Sequence, residues 1–208
     1  MVLLSLNSIS RGLLNKERDD IMNNLDQIIR SRRAIYPKQF IGGDISKDIL
    51  LNILENGNMA PTHRLTQPWI FKVFRSSSKI KLGKEMIKKY HESTENPHES
   101  KSEKIMDKCK LSNIIIAICM RRDEKKSIPE WEEIASVSMA VQNIWLSCVT
   151  YEIGCYWSSP KYANELSKFL NLGINEKCLG FFYMGKFNHK NQKPTKRNNI
   201  NSKIEWFN

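Results

Sequence analysis

The 208-residue chain predicts an α+β fold of about four strands outweighed by helices. Three observations carry that prediction. The run Asn113-Ile-Ile-Ile-Ala-Ile-Cys-Met120 is continuously apolar and rich in β-branched residues, the pattern of a strand buried on both faces. From Glu130 to Glu152, residues Trp131, Ile134, Val137, Val141, Ile144, Trp145 and Cys148 recur at three- or four-residue spacing. A helix this apolar is central or lies in a subunit interface. Shorter strand-like segments bounded by Gly and Pro lie on either side of these two elements.

Taken in order, residues 18–31 predict a helix with Ile21, Leu25, Ile28 and Ile29 on one stripe, ending at the basic cluster Arg30-Ser31-Arg32-Arg33. Residues 34–45 form a loop broken by Pro37 and Gly42-Gly43. Asp44 or Ser46 caps the next helix, whose Ile49, Leu50, Ile53 and Leu54 repeat at helical spacing up to a stop before Pro61. Ala60–Gln67 is polar and turn-rich, and Pro68–Phe74 is an aromatic, β-branched strand. Residues 78–110 are charged helical segments interrupted near Asn96-Pro97, and 121–129 form a charged loop. Gly154 ends the long helix, and Cys155-Tyr156-Trp157 forms a short strand. That strand runs into Ser158-Ser159-Pro160, a cap and first turn for a helix over 161–171. Leu179–Met184 is the last clear strand. A basic tail then leads to Ile204–Phe207, which has the pattern of a short strand in need of a partner.

Composition narrows the function. No apolar run approaches the ~20 residues of a membrane span. Thirty-three Lys and Arg against 22 Asp and Glu leave a formal charge of +11, which favours an anionic partner, either nucleic acid or a phosphate-bearing small molecule. The basic residues are spread along the chain instead of forming one stripe, which weighs against nucleic acid. The five cysteines, at 109, 119, 148, 155 and 178, are odd in number and contain no CxxC pair. This argues against a disulfide framework and a structural zinc site, and for a reducing, cytoplasmic setting. Residues 1–16 lack acids, so 1–20 is expected to be either an organelle-targeting segment or a plain extension of one domain over 21–208.

Common catalytic motifs are missing. Gly180–Lys186 matches GxxxxGK, but Phe187 stands where Ser or Thr would hold magnesium, and the intervening residues form a strand. There is neither a GxGxxG nor a GxSxG. The histidines at 63, 91, 98 and 189 lack metal-ligand spacing, so no metal is expected. Three constellations remain. Arg32-Arg33-Ala34 offers a two-arginine anion clamp at a helix end. Ala60–Trp69 brings Thr62, His63, Arg64 and Gln67 onto a loop between rigid elements. Tyr156-Trp157-Ser158 ends a strand that could wall a planar ligand, and the tail Lys193-Pro194-Thr195-Lys196-Arg197 could neutralise phosphate.

In chain order, SRRA, APTHRLTQPWIFKVF, IPEWEEIASVSMAVQNIWLSC, IGCYWSSP, GFFYMGK and PTKR together resemble the FMN-dependent nitroreductase family, and most of all its compact YdjA-like bacterial members. The resemblance spans about residue 22 to the C-terminus. It implies a three-layer sandwich with a central, mostly antiparallel sheet, built as an intertwined homodimer with FMN at the subunit interface. It also implies a C-terminal tail that crosses to the partner. Carried over by position, Arg32, Arg33 and Ala34 match the family's early Arg-Arg-Ser, which contacts phosphate and the pyrimidine edge of the flavin. Ala34 lacks the hydroxyl. His63 matches a flavin-contacting histidine, Gln67 shares its loop, and Met59 stands where some relatives place a basic residue. Tyr156, Trp157 and Ser158 match the strand end along the isoalloxazine, and Lys196 and Arg197 match a phosphate-gripping tail pair. The implied activity is hydride transfer from NADH or NADPH through FMN to a nitroaromatic or quinone in a ping-pong cycle. No side chain is required as acid or base for the hydride step. The alternatives are another redox role on the same fold (a dehydrogenase, a dehalogenase or a flavin-binding protein without turnover) and a basic nucleic-acid-binding protein.

Overall fold

The computed structural model describes residues 24–188 and 196–207. The expected extension over 1–20, residues 18–23 of the helix expected over 18–31, and Lys193–Thr195 lie outside the described residues. Helix α1 covers 24–31. It is followed by α2 (Lys47–Asn58), β1 (Trp69–Phe74), α3 (Ser77–Glu92), α4 (Glu99–Leu111), β2 (Ile114–Arg121), α5 (Glu130–Thr150), β3 (Ile153–Ser158) and β4 (Glu176–Lys186). The sheet order is β1-β2-β4-β3, and every pairing is antiparallel.

Strand alternation builds three layers from this sheet. On β2, Ile114, Ile116, Ile118 and Met120 face one core with Ile53, Val137, Val141, Ile144 and Phe182, under α2 and α5. Ile115, Ala117 and Cys119 face a second core with Leu82, Met86, Tyr90, Phe181 and Tyr183, under α3 and α4. Successive side chains of a strand point to opposite faces, so a strand covered on both sides is apolar throughout. That is the reason for the unbroken run at 113–120. Burying each large aliphatic of this run contributes about 1.5–3 kcal/mol.

The ends of elements follow local chemistry. Ser46, not Asp44, caps α2, its Oγ accepting from the Ile49 amide. Asp44 instead takes both its hydrogen bonds from Arg75. The expected helix over 161–171 is replaced by a 3-10 turn, Lys161–Leu166, with further turns to 171. Ser167 Oγ donates to the Asn164 carbonyl at 2.5 Å and occupies the acceptor that an α-helix would offer to residue 168. Residues 204–207 are not strand in this chain, and Phe207 is 87% exposed. At the start of α5, Trp131 lies outside the core at 68% exposure, while Val137, Ala140 and Ile144 are fully buried.

All five cysteines are free and buried. Burial pushes the Cys109 thiol up to about 12, which makes it an inert packing group. Among the described residues no helix is long and apolar enough to cross a membrane, and no three His, Cys, Asp or Glu side chains are placed to hold a metal ion.

One glycine is dictated by geometry. Gly180 has φ +137° at the β2–β4 register shift, and a Cβ there would stand 2.4 Å from the Ser158 carbonyl oxygen and 2.7 Å from Trp157 Nε1. Gly180→Ala is therefore expected to destabilise the protein by at least about 2 kcal/mol, read as a lower thermal midpoint. An unchanged midpoint would contradict this backbone assignment.

Candidate active site

β3 is an edge strand, and the segment after α1 is laid along its free side. The Ile35 amide donates to the Cys155 carbonyl, and Trp145 Nε1, from α5, donates to the Arg33 carbonyl. Two fixed points within three residues hold Arg32–Tyr36 against the sheet edge.

The first sequence-predicted cluster therefore has a definite place. The Arg32 guanidinium lies 4.8 Å over the Trp145 ring. Burial holds its pKa below the usual arginine range, and Arg197, followed by Arg33, adds to that effect by like-charge repulsion. The tail residue Arg197 is thus brought back to Arg32 across 165 residues of chain. Arg197 Nη1 donates to the Lys196 carbonyl, and Arg33 Nε to the Ser31 carbonyl. Arg33 lines a hollow of about 410 Å³ with Trp145, Glu152 and Cys155. Ala34, which follows Arg33, is half-buried. Three guanidinium groups gathered at one edge form a site suited to a polyanion such as phosphate, which arginine forks grip bidentately.

Beyond this edge, on the α3/α4 face, opens a cavity of about 1060 Å³. Tyr36, Pro37, Lys38 and Gln39 form one wall. Tyr90, Tyr162 and Tyr183 supply aromatic lining, and Ser158 and Pro160 come from the end of β3. Tyr156 packs on this side, its ring tilted against Tyr36 at 4.7 Å and stacked on Tyr183 at 6.0 Å. Strand alternation sends Trp157 to the opposite face, into the α2/α5 core. Its Nε1 is buried and has no hydrogen-bond partner among the described residues. Of the predicted strand-end trio, Ser158 lines the cavity, Tyr156 stacks beside it, and Trp157 does not reach it.

The second loop stands elsewhere. Residues 60–68 precede β1, the opposite edge of the sheet from β3. His63 Nδ1 lies 2.5 Å from Glu132 Oε2 in the first turn of α5. Arg64, Leu65 and Gln67 all have left-handed φ, at 51°, 54° and 42°. The Gln67 amide donates to Thr62 Oγ1, which also bonds Thr66 Oγ1. Non-glycine residues in that region cost about 1–3 kcal/mol each and cluster where function fixes the backbone. Met59, the C-cap of α2, is exposed beside this loop. A single chain therefore unites Arg32, Arg33, Tyr156, Ser158 and Arg197 at one edge and holds Met59, His63 and Gln67 at the other.

Two features escaped the sequence reading. The first is Glu132, which fixes His63 from 69 residues away. The second is the row Lys101, Lys104 and Lys108 on α4, which lines the cavity. Its spacing of three and four residues marks one helix face and was visible in the sequence, but a charged run reads as solvent-facing.

The β3 edge carries the arginine cluster, and the segment Arg32–Tyr36 runs on from it to the wall of the aromatic cavity. The chain belongs to the nitroreductase family, whose model matches residues 29–186. It is 28% identical over 172 residues to the Bacillus subtilis protein named "Putative NAD(P)H nitroreductase YfhC", covering 77% of this chain and 83% of that one. It is also 28% identical over 142 residues to the similarly named YdjA of Escherichia coli strain K12, covering 65% and 74%. Among solved structures, a nitroreductase-like family protein from Bacillus cereus superposes with a TM-score of 0.78 at 22% identity, over 88% of this chain and 95% of that one. A point mutant of the FMN and NADPH-dependent nitroreductase NfnB of Sphigopyxis sp. strain HMH gives 0.72 at 13% identity, over 88% and 98%. These structural likenesses extend the family assignment to the three-layer fold.

Proposed function

We propose that the protein is an FMN-dependent NAD(P)H oxidoreductase that reduces nitroaromatics or quinones and works as a homodimer. The carrying observation is the convergence of Arg32, Arg33 and Arg197 at the β3 edge, from which the chain runs on through Tyr36 into the wall of an aromatic cavity. Within a family whose relatives are named for NAD(P)H and FMN, that arrangement suits a flavin phosphate next to a flavin ring.

Bound FMN supplies the hydride-carrying ring between nicotinamide and acceptor. The chain's part is binding and electrostatics. Arg32 and Arg197, with Lys196, neutralise the phosphate, and that relieves the repulsion that Arg32 carries in the free protein. Arg33 would provide a cation to the pyrimidine side of the bound ring, where it would favour negative charge. Ala34 offers only backbone there, since it has no hydroxyl. Tyr36, Tyr156 and Ser158 bound the ring's cavity. His63 and Gln67, held by Glu132 and Thr62, reach a ring only across a subunit interface. Met59 brings a thioether to that contact instead of a charge. The exposed Met59, Leu65 and Trp131 and the exposed tail residues Trp206 and Phe207 supply apolar surface for such an interface.

The test is an absorption spectrum of the purified protein before and after FMN is added, followed by NAD(P)H oxidation with a nitroaromatic or quinone. A flavin band that stays with the protein and an acceptor-dependent loss of NAD(P)H are expected. A protein that refuses FMN would overturn the reading.

A further inference from the structure

The cavity carries more positive charge than its walls neutralise. Lys101, Lys104 and Lys108 line it from α4, Lys38 from the turn after Tyr36, and Lys161 from the segment after β3. Against these five lysines stands one lining carboxylate, Asp107. None of the five forms an ion pair among the described residues, whereas Lys88, Lys89 and Lys177, which do not line the cavity, do. Two of them are also held over aromatic rings, one in the cavity's lining and one beside it. Lys101 Nζ lies 4.5 Å from the Tyr90 ring centre, and Lys108 Nζ lies 5.4 Å from that of Tyr156. An ammonium held over a ring keeps its donors for a guest.

The lining beneath is apolar and aromatic. Met86, Ile105, Tyr90, Tyr162 and Tyr183 meet there. Burial pushes the Tyr162 and Tyr183 phenols up, so they stay neutral. Aromatic rings and ammonium groups lining one cavity suit a planar ring that bears an oxyanion. The volume, about 1060 Å³, slightly exceeds the ~300–1,000 Å³ that holds a single ligand, which leaves room for a second molecule beside a flavin ring.

We infer that the small molecule taken by this cavity beside the flavin is an aromatic carboxylate or sulfonate, held by the α4 lysines. The inference deepens the reductase reading and depends on it only for that molecule's being the electron acceptor.

Benzoate and benzamide share shape and differ in charge, and neither is reduced. Titrated into the FMN-loaded protein and followed by flavin absorption and calorimetry, benzoate is expected to bind about tenfold more tightly, the worth of one charge-assisted contact. In Lys101→Gln and in the Lys101→Gln/Lys108→Gln pair, that ratio is expected to fall toward one, with the thermal midpoint checking that both variants fold. The kcat/KM ratio of 4-nitrobenzoate to 4-nitrobenzamide should fall in step. Equal binding by the unaltered protein, or a preference that survives both substitutions, overturns the inference. Should the protein hold no FMN, calorimetry on the flavin-free protein separates the two readings. A benzoate preference there upholds the anion site while the reductase reading falls, and no preference overturns both.

Discussion

Arg32→Ala is expected to weaken FMN binding by about ten- to 150-fold, the range of a hydrogen-bonded contact between charged groups worth roughly 1.5–3 kcal/mol. The loss should exceed that of an ordinary surface arginine because Arg32 is already partly desolvated over Trp145 and is crowded by Arg197 and Arg33. A cation whose folded pKa lies below its unfolded value disfavours the folded state while it is charged. Removing it is therefore expected to leave the flavin-free protein no less stable, apart from the stacking on Trp145, while the stabilisation conferred by added FMN shrinks. Two titrations check this, one of flavin binding and one of thermal midpoint against FMN concentration. The Arg32→Ala/Arg197→Ala double variant should lose less than the sum of its singles, because the two cations share one anion. Undiminished flavin binding in the double variant would sink the phosphate assignment.

Glu133→Ala is expected to cost about 3–5 kcal/mol in stability, a fall of roughly 6–20 °C in thermal midpoint for a domain of this size. Glu133 is fully buried at the first turn of α5. One carboxylate oxygen accepts from Arg122 Nη1, and the other accepts from the Asp123 amide at 2.7 Å. Arg122 also donates through Nη2 to the Ile128 carbonyl, so a single ion pair ties both ends of the 122–129 connection to the helix. Truncation leaves the Arg122 charge and the Asp123 amide without their partner, and this accounts for most of the cost. Glu133→Gln keeps an acceptor for the amide and should lose less. Thermal denaturation of the two variants checks the order, and equal midpoints in Glu133→Ala and the unaltered protein would show the pair to be dispensable.

The parts of the fold legible in sequence are those set by burial. β2 lies between two covered faces, and the core side of α5 repeats at helical spacing, so pattern alone locates both. Trp131 breaks that pattern in space but not in sequence, because periodicity says which side a residue is on and not whether anything covers it. The 161–171 segment has buried Tyr162, Leu166 and Leu170 at helical spacing, yet a serine hydroxyl competing for a backbone carbonyl tightens it into a 3-10 turn. Local hydrogen bonds of this kind leave no periodic trace. The arginine cluster was half legible. Arg32 and Arg33 are adjacent in sequence, whereas the return of Arg197 depends on the path of the tail. The α4 lysines had the right spacing but no visible cavity to face. Glu132 could not be matched to His63 before the loop and the helix were known to meet. Least legible was the separation of the two clusters, since strand order in an antiparallel sheet is decided by long-range pairing and not by any one segment.

That separation has a consequence for how the protein would behave in a test tube. If chemistry needs groups from both margins of the sheet, a lone copy is inert, and turnover per molecule falls as the solution is diluted below the point where copies pair. Two crippled versions, one lacking Arg32 and the other lacking His63, would then rescue each other on mixing. Each mixed pair gathers both defects into one of its two centres and leaves the other whole.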